Sequence, residues 1–354
     1  MVRFVSRYLT ACGWRSQMTT LRIGLLGGGG MASTHLRSLL RMPDAQVMGV
    51  SAPLVDPAVS DLCARAGIPV KDDRSWLLTG CDLDAVVIAT PTDSHAELIA
   101  QAAEAGLDVF CEKPLARTTA EARAAVEGCR QAGVKLAVGH VVRYFAAYSR
   151  IRHAVVQGEI GPPGLATCRR VSGPPSGARE WYGDPQRSGG VIMDMGVHDL
   201  DWLRWCLGPV TRLSAIQSPL APGSVAMITL RHAGGALSHV QLSWMDPKGF
   251  ATAVEVSGPG GLLRHDSRDS QALQVDGWPG AAAPDAGRDD GTVGDDDPYL
   301  AELTDAVAWW SGGPPPRCRA EDGVAAVALA EAALRSALLR EPVEFDDEPV
   351  EDVA

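Results

Sequence analysis

The chain reads as an α/β protein: an N-terminal, doubly wound parallel sheet followed by a second unit on a mostly antiparallel sheet. Two patterns predict this. The run Leu21–Leu26 is apolar apart from Arg22 and ends in Gly27–Gly30, as a buried strand entering a tight turn does. Met31–Leu40 carries apolar residues at helical spacing, and Gln46–Ser51 completes a β-α-β unit within about 30 residues, the length such a unit requires. Asp84–Thr90 reads as a central strand, Ser94–Glu104 as a helix, Asp108–Cys111 as a strand and Ala120–Ala132 as a helix. This alternation predicts parallel strands covered on both faces. Beyond about residue 140 the pattern changes, and Ala226–Arg231, Ala236–Trp244 and Thr252–Ser257 follow one another through glycine-rich turns.

The expected organisation is a dinucleotide-binding unit over 21–140 and a substrate-binding and oligomerisation unit over 141–345, the latter including helices at Tyr299–Trp310 and Gly323–Arg340. Residues 1–20 read as a disordered extension or a misassigned start, and the aspartate-rich stretch Ala281–Pro298 as a solvated loop.

Composition narrows the function. An apolar fraction of 46% without a membrane-length apolar run predicts a globular protein with no membrane partner. A formal net charge of −11 argues against nucleic acid, whose phosphates demand clustered Lys and Arg. The eight cysteines form no CxxC pair, so reduced thiols and a cytoplasmic location are expected.

Gly27-Gly28-Gly29-Gly30-Met31-Ala32 matches G-x-G-x-x-A between a strand and a helix. Gly27 would allow the turn, Gly29 would let backbone approach a pyrophosphate, and Ala32 would permit close helix packing, while Gly30 and Met31 open the helix toward the anion. The acid expected at the end of the second strand is missing, because that end reads Val50-Ser51-Ala52-Pro53. Ser51 suits a ribose 2′-phosphate, yet no arginine follows it, so NAD and NADP both stay open. Thr90-Pro91 and His95, and Glu112-Lys113-Pro114, fall at the carboxyl ends of parallel strands, where open sheets bind ligands. If residues 188–201 are helical, Asp194 and His198 lie one turn apart on one face with Asp201 three residues on. An acid there would orient the imidazole and raise its pKa, making His198 a proton carrier near neutrality. Asp194 and His198 lack a third ligand, so no metal is expected.

Together the motifs resemble the Gfo/Idh/MocA family of NAD(P)-dependent oxidoreductases: Gly27-x-Gly29-x-x-Ala32-x-x-His35, Ala89-Thr90-Pro91 with His95, Glu112-Lys113-Pro114 and Gly189-Gly190-x-x-x-Asp194-x-Gly196-x-His198 occur in that family's order. The resemblance implies an N-terminal Rossmann domain and a C-terminal α/β domain with a large, mainly antiparallel sheet whose face often forms contacts in a homodimer or homotetramer. It implies NAD or NADP as cofactor and a sugar, aminosugar, nucleotide sugar or cyclitol as the carbinol or ketone substrate. Lys113 and His198 become the acid/base groups, Asp194 the support for His198, and Asp201 a contact to substrate hydroxyls. Arg143, Tyr144, Trp181 and Tyr182 are further pocket candidates. A glycosidase using tightly held NAD and a non-catalytic cofactor-binding regulator are the alternatives.

Overall fold

A computed structural model describes residues 20–175, 181–220, 223–269, 274–276 and 297–345. In chain order the first half runs β1 (Leu21–Leu26), α1 (Gly30–Leu39), β2 (Ala45–Ser51), α2 (Pro57–Ala66), β3 (Val70–Lys71), α3 (Arg74–Gly80), β4 (Ala85–Ile88), α4 (His95–Glu104), β5 (Asp108–Glu112), α5 (Thr119–Ala132) and β6 (Leu136–Gly139). The strands form one parallel sheet in the order β3-β2-β1-β4-β5-β6. The order reverses at β1 and β4, so the crevice beyond their carboxyl ends is the natural ligand site of this sheet.

Burial explains the unbroken apolar strands. In β4, Ala85 and Val87 enter one core with Ile23 and Leu25, while Val86 and Ile88 enter another on the opposite face. Successive side chains point to opposite faces, so a strand covered on both must be apolar throughout. Helices α2 and α5 end on Gly67 and Gly133 in the left-handed conformation, and α5 starts with a Thr118–Glu121 capping box.

The second half runs α6 (Ala146–Val156), β7 (Leu165–Val171), α7 (Pro185–Ser188), α8 (Val197–Leu207), β8 (Val210–Leu220), β9 (Gly223–His232), β10 (Leu237–Ser243), β11 (Ala251–Gly258), β12 (Gly261–Asp266), β13 (Gln274–Asp276), α9 (Pro298–Trp310), α10 (Ala320–Leu339) and β14 (Val343–Glu344). Its eight strands are ordered β13-β12-β11-β7-β10-β9-β8-β14, antiparallel except for β7 beside β10. Strands β9 and β10 alternate buried and open residues, as a sheet covered on one face requires. The predicted α/β architecture with two sheets is the one observed.

One expectation needs correction, and one strand had no expectation at all. Residues 188–201 are not one regular α-helix: Ile192–Gly196 forms a π-helical turn before α8 begins. The wider turn changes the angular offset between Asp194 and His198 from that of an α-helix. Strand β7 was not singled out by the sequence pattern, because Arg169 and Arg170 interrupt its apolar run. The aspartate-rich stretch lies outside the described residues except for Asp297 and Pro298, where Asp297 caps α9 by accepting from Tyr299 and Leu300 N–H. Residues 1–19 also lie outside them. Among the described residues no helix is long and apolar enough to cross a membrane.

The glycine-rich turn divides into two kinds of position. Gly27 has φ +128°, and a Cβ there would lie 2.3 Å from the Ala89 carbonyl oxygen, whereas a Cβ on Gly29 would meet nothing within 4 Å. Gly27→Ala should therefore lose about 1–3 kcal/mol of stability and Gly29→Ala under about 0.5 kcal/mol, as read from urea unfolding midpoints. Equal losses at both positions would contradict this division.

Candidate active site

The turn after β1 is anchored by Gly27 N–H donating to Ser51 O at 2.9 Å. Gly29 precedes α1, whose first turn has neither a side-chain cap nor an acidic residue. A helix start with free N–H groups, beside the open space at Gly29 and Gly30, accommodates a pyrophosphate. Ala32 is fully buried against the sheet, the close packing expected of it, and Met31 borders the same core. Ser51 is nearly buried at the end of β2, in register with Lys71 of β3, whose ammonium lies over the Trp76 ring at 4.3 Å.

At the end of β4, Thr90 Oγ1 and Ser94 Oγ are 2.7 Å apart, and Ser94 Oγ donates to Pro91 O at 2.7 Å. The His95 ring is buried, with Nδ1 2.7 Å from Pro114 O and Nε2 3.0 Å from Thr90 O, so it braces the turns that follow β4 and β5. Burial lowers its pKa against the opposing pull of the two carbonyls. The Glu112 carboxylate turns inward, 2.7 Å from His35 Nε2, and accepts from Lys113 N–H at 3.1 Å. Burial pushes this carboxyl up, but His35 and then Lys113 outweigh that and hold it below the ordinary value.

Lys113 crosses from the first sheet to the π-helical turn. Its Nζ donates to Asp194 O at 2.9 Å and to Asp194 Oδ1 at 3.0 Å. Asp194 is thus the partner of the lysine, and the expected rise in the His198 pKa is not found. His198 Nδ1 is buried and has no hydrogen-bond partner among the described residues. Burial, then the charges of Lys113, Arg170 and His140, push the imidazole well below its ordinary value. At neutral pH it is a neutral ring.

Asp201 and Arg143, the two substrate-contact candidates, are joined to each other. Arg143 donates to both Asp201 oxygens at 2.8 and 2.6 Å, and also to Asp322 and Arg317 O. Both side chains are about 1% exposed, so this is a buried brace between the 3₁₀ turn Val141–Tyr144 and α8. Tyr182 stacks on Trp181 at 3.9 Å, and its carbonyl accepts from Ser188 Oγ, just before the π-helical turn. Arg187 ties this segment to the Thr90–Ser94 turn through Asp93 at 2.9 Å.

Three features escaped the sequence reading. His140, at the end of β6 beside Lys113 in the sheet, is fully buried with both ring nitrogens unpartnered and Nδ1 3.8 Å from Asp201. Arg170 of β7 forks onto Asp199 beneath His198 at 2.9 and 2.8 Å. Glu302 of α9 lies near Glu112. Only His35, quoted within the glycine motif, gave a local signal of these inward contacts.

Comparison with known proteins agrees with this arrangement. Residues 21–140 match an oxidoreductase family with an NAD-binding Rossmann fold, and residues 148–264 match the GFO/IDH/MocA C-terminal domain. Inositol 2-dehydrogenase of Rhizobium meliloti is 31% identical over 90% of this chain and 97% of its own length. The chain belongs to the Gfo/Idh/MocA oxidoreductases. Another relative, scyllo-inositol 2-dehydrogenase (NAD(+)) of Bacillus subtilis, is 32% identical over 69% of this chain and 73% of its own. The WlbA dehydrogenase of Bordetella pertussis, solved with NADH and UDP-GlcNAcA, shares the fold with TM-score 0.82 over 92% of this chain and 98% of its own, at 23% identity. In this Gfo/Idh/MocA protein the NAD-binding unit is the first sheet, with the glycine turn at its crevice.

The Arg143–Asp201 brace gives a test of what Asp201 does. Asp201→Asn should cost about 3–5 kcal/mol in unfolding free energy, because it leaves a buried guanidinium short of its counter-charge. An Asp201→Asn protein of unchanged stability with only a raised KM would return Asp201 to the substrate.

Proposed function

We propose that this chain is a nicotinamide-dependent dehydrogenase or ketoreductase that interconverts a carbinol and a ketone carbon of a sugar, aminosugar, nucleotide sugar or cyclitol. The observation that carries this reading is the Lys113–Asp194 pair with a neutral His198 nearby, at the ligand-binding edge of a dinucleotide-binding sheet. The inositol dehydrogenases among the relatives support the substrate class. A bound nicotinamide supplies the hydride acceptor in oxidation and the donor in reduction.

The protein's own groups divide the remaining work. Two N–H bonds of the Lys113 ammonium are engaged by Asp194, which leaves a third for the substrate oxygen and fixes its direction. That donor holds the oxygen and stabilises negative charge as it develops. His198, kept neutral by burial and by surrounding cations, accepts the hydroxyl proton when the carbinol is oxidised. In reduction the proton returns to the new hydroxyl. The Arg170–Asp199 fork beneath His198 keeps α8 in place.

Lys113→Ala and His198→Ala should each lower kcat by about 10²- to 10⁴-fold while cofactor affinity stays within a few-fold. Near-normal turnover in both variants would remove the assignment. The pH dependence follows from the direction of the His198 shift. The ring protonates only well below its ordinary value, so kcat/KM for oxidation should stay high as pH falls through about 6.5 and decline only at lower pH. An acid limb at or above about 6.5 that disappears in His198→Ala would contradict the neutral, buried ring.

A further inference from the structure

Behind the Lys113 turn, three buried side chains from three elements meet. His35 of α1, Glu112 of β5 and Glu302 of α9 each bring a nitrogen or oxygen within 4.8 Å of the others. Glu112 has donors, since one oxygen faces His35 Nε2 and the other accepts from Lys113 N–H. Glu302 is 2% exposed, and among the described residues neither of its carboxylate oxygens has a hydrogen-bond partner. Two carboxylates this close, shielded from water, do not both stay ionised. The one supplied with donors keeps its charge, and the other keeps a proton.

The surroundings of Glu302 agree. Glu112 and His35 face it from β5 and α1, and Tyr299 and Asp297 come from its own helix and cap. Asp297 is engaged by Arg41 at 2.9 Å. Tyr144 and Cys318 come from the segments packed beside α9. Burial, then Glu112 and Asp297, push the Glu302 carboxyl well above the ordinary range. Burial, then the charge of Glu112, likewise pushes the Tyr299 hydroxyl up.

We propose that Glu302 is a protonated carboxylic acid at working pH and a positioning residue: uncharged, it lets α1 and α9 pack closely beside Glu112, and so sets the turn that presents Lys113. A proton in this place leaves Glu112 as the single negative charge of the cluster. A second negative charge would repel Glu112 from its seat on His35 and Lys113 N–H and displace the lysine backbone. The kinetic consequence rests on the assignment of Lys113 above, while the protonation state does not.

The test uses the full-length protein and its Glu302→Gln and Glu302→Ala variants. At neutral pH the infrared difference spectrum, wild type minus Glu302→Gln, should contain the carbonyl stretch of a protonated carboxylic acid. The stability comparison has a definite sign. A carboxyl with a raised folded pKa loses stability as pH rises from its unfolded value, about 4.3, toward the folded value. The unfolding temperature of Glu302→Gln should therefore gain on wild type as pH rises from about 4 to 8. Glu302→Ala should lower kcat by about tenfold, and Glu302→Gln, which keeps the shape of the neutral acid, should recover most of it. Absence of the protonated-acid band, or a Gln variant that loses stability relative to wild type as pH rises, overturns the proposal. So does one divalent cation per chain whose removal by a chelator lowers the unfolding temperature, since a cation would ionise both carboxylates. If no substrate turns over, the infrared and stability results still decide the protonation state.

Discussion

The hydrogen bonds from Lys113 Nζ to the carbonyl and carboxylate of Asp194 join the end of β5 to the π-helical turn ahead of α8. Everything near the candidate chemistry depends on this crossing. The lysine belongs to the parallel sheet that carries the glycine turn, and Asp194 to the elements that rest on the antiparallel sheet. Gly196 lies tight against Leu242 of β10, where a Cβ would sit 2.8 Å from its side chain, so the turn carrying Asp194 is pressed onto that sheet. A small movement between the sheets would part the lysine from its partner.

Buried charge is arranged in pairs around that crossing. Arg143 with Asp201, Arg170 with Asp199, and Glu112 with His35 each satisfy one another out of contact with solvent. Removing either member of such a pair costs more than the pair contributes, because the survivor is left without its counter-charge. These pairs hold the 3₁₀ turn after β6, the helix bearing His198 and the Lys113 turn in fixed relation. His198 is neutral first because it is buried, and then because Lys113 and Arg170 face it while Asp194 is committed to Lys113.

Much of the first sheet was legible in the sequence because both of its faces are covered. Val86 and Ile88 on one side, and Ala85 and Val87 on the other, leave an apolar run that has no other use. The glycine turn was legible because Gly27 occupies a backbone conformation that side chains resist. Strand β7 was hidden by Arg170, whose charge is neutralised by Asp199 from a distant helix, a pairing no local pattern displays. The site was legible as a set of residues but not as a set of contacts. Spacing put Asp194 beside His198 on an α-helical ruler, and the π-helical turn with the reach of Lys113 gave it another partner. Likewise the hydrogen bonds of Asp201 to a guanidinium and of His95 to backbone carbonyls join residues far apart in sequence, and no local pattern displays them.

The most direct test of the account is a panel of cyclitols, sugars, aminosugars and nucleotide sugars offered with NAD and with NADP, followed by nicotinamide absorbance and product analysis. The account predicts that a carbinol in one of these classes is oxidised to its ketone with one reduced nicotinamide formed per molecule. Release of a sugar from a glycoside with no net reduced nicotinamide, or binding of cofactor with no redox change across the panel, would contradict it.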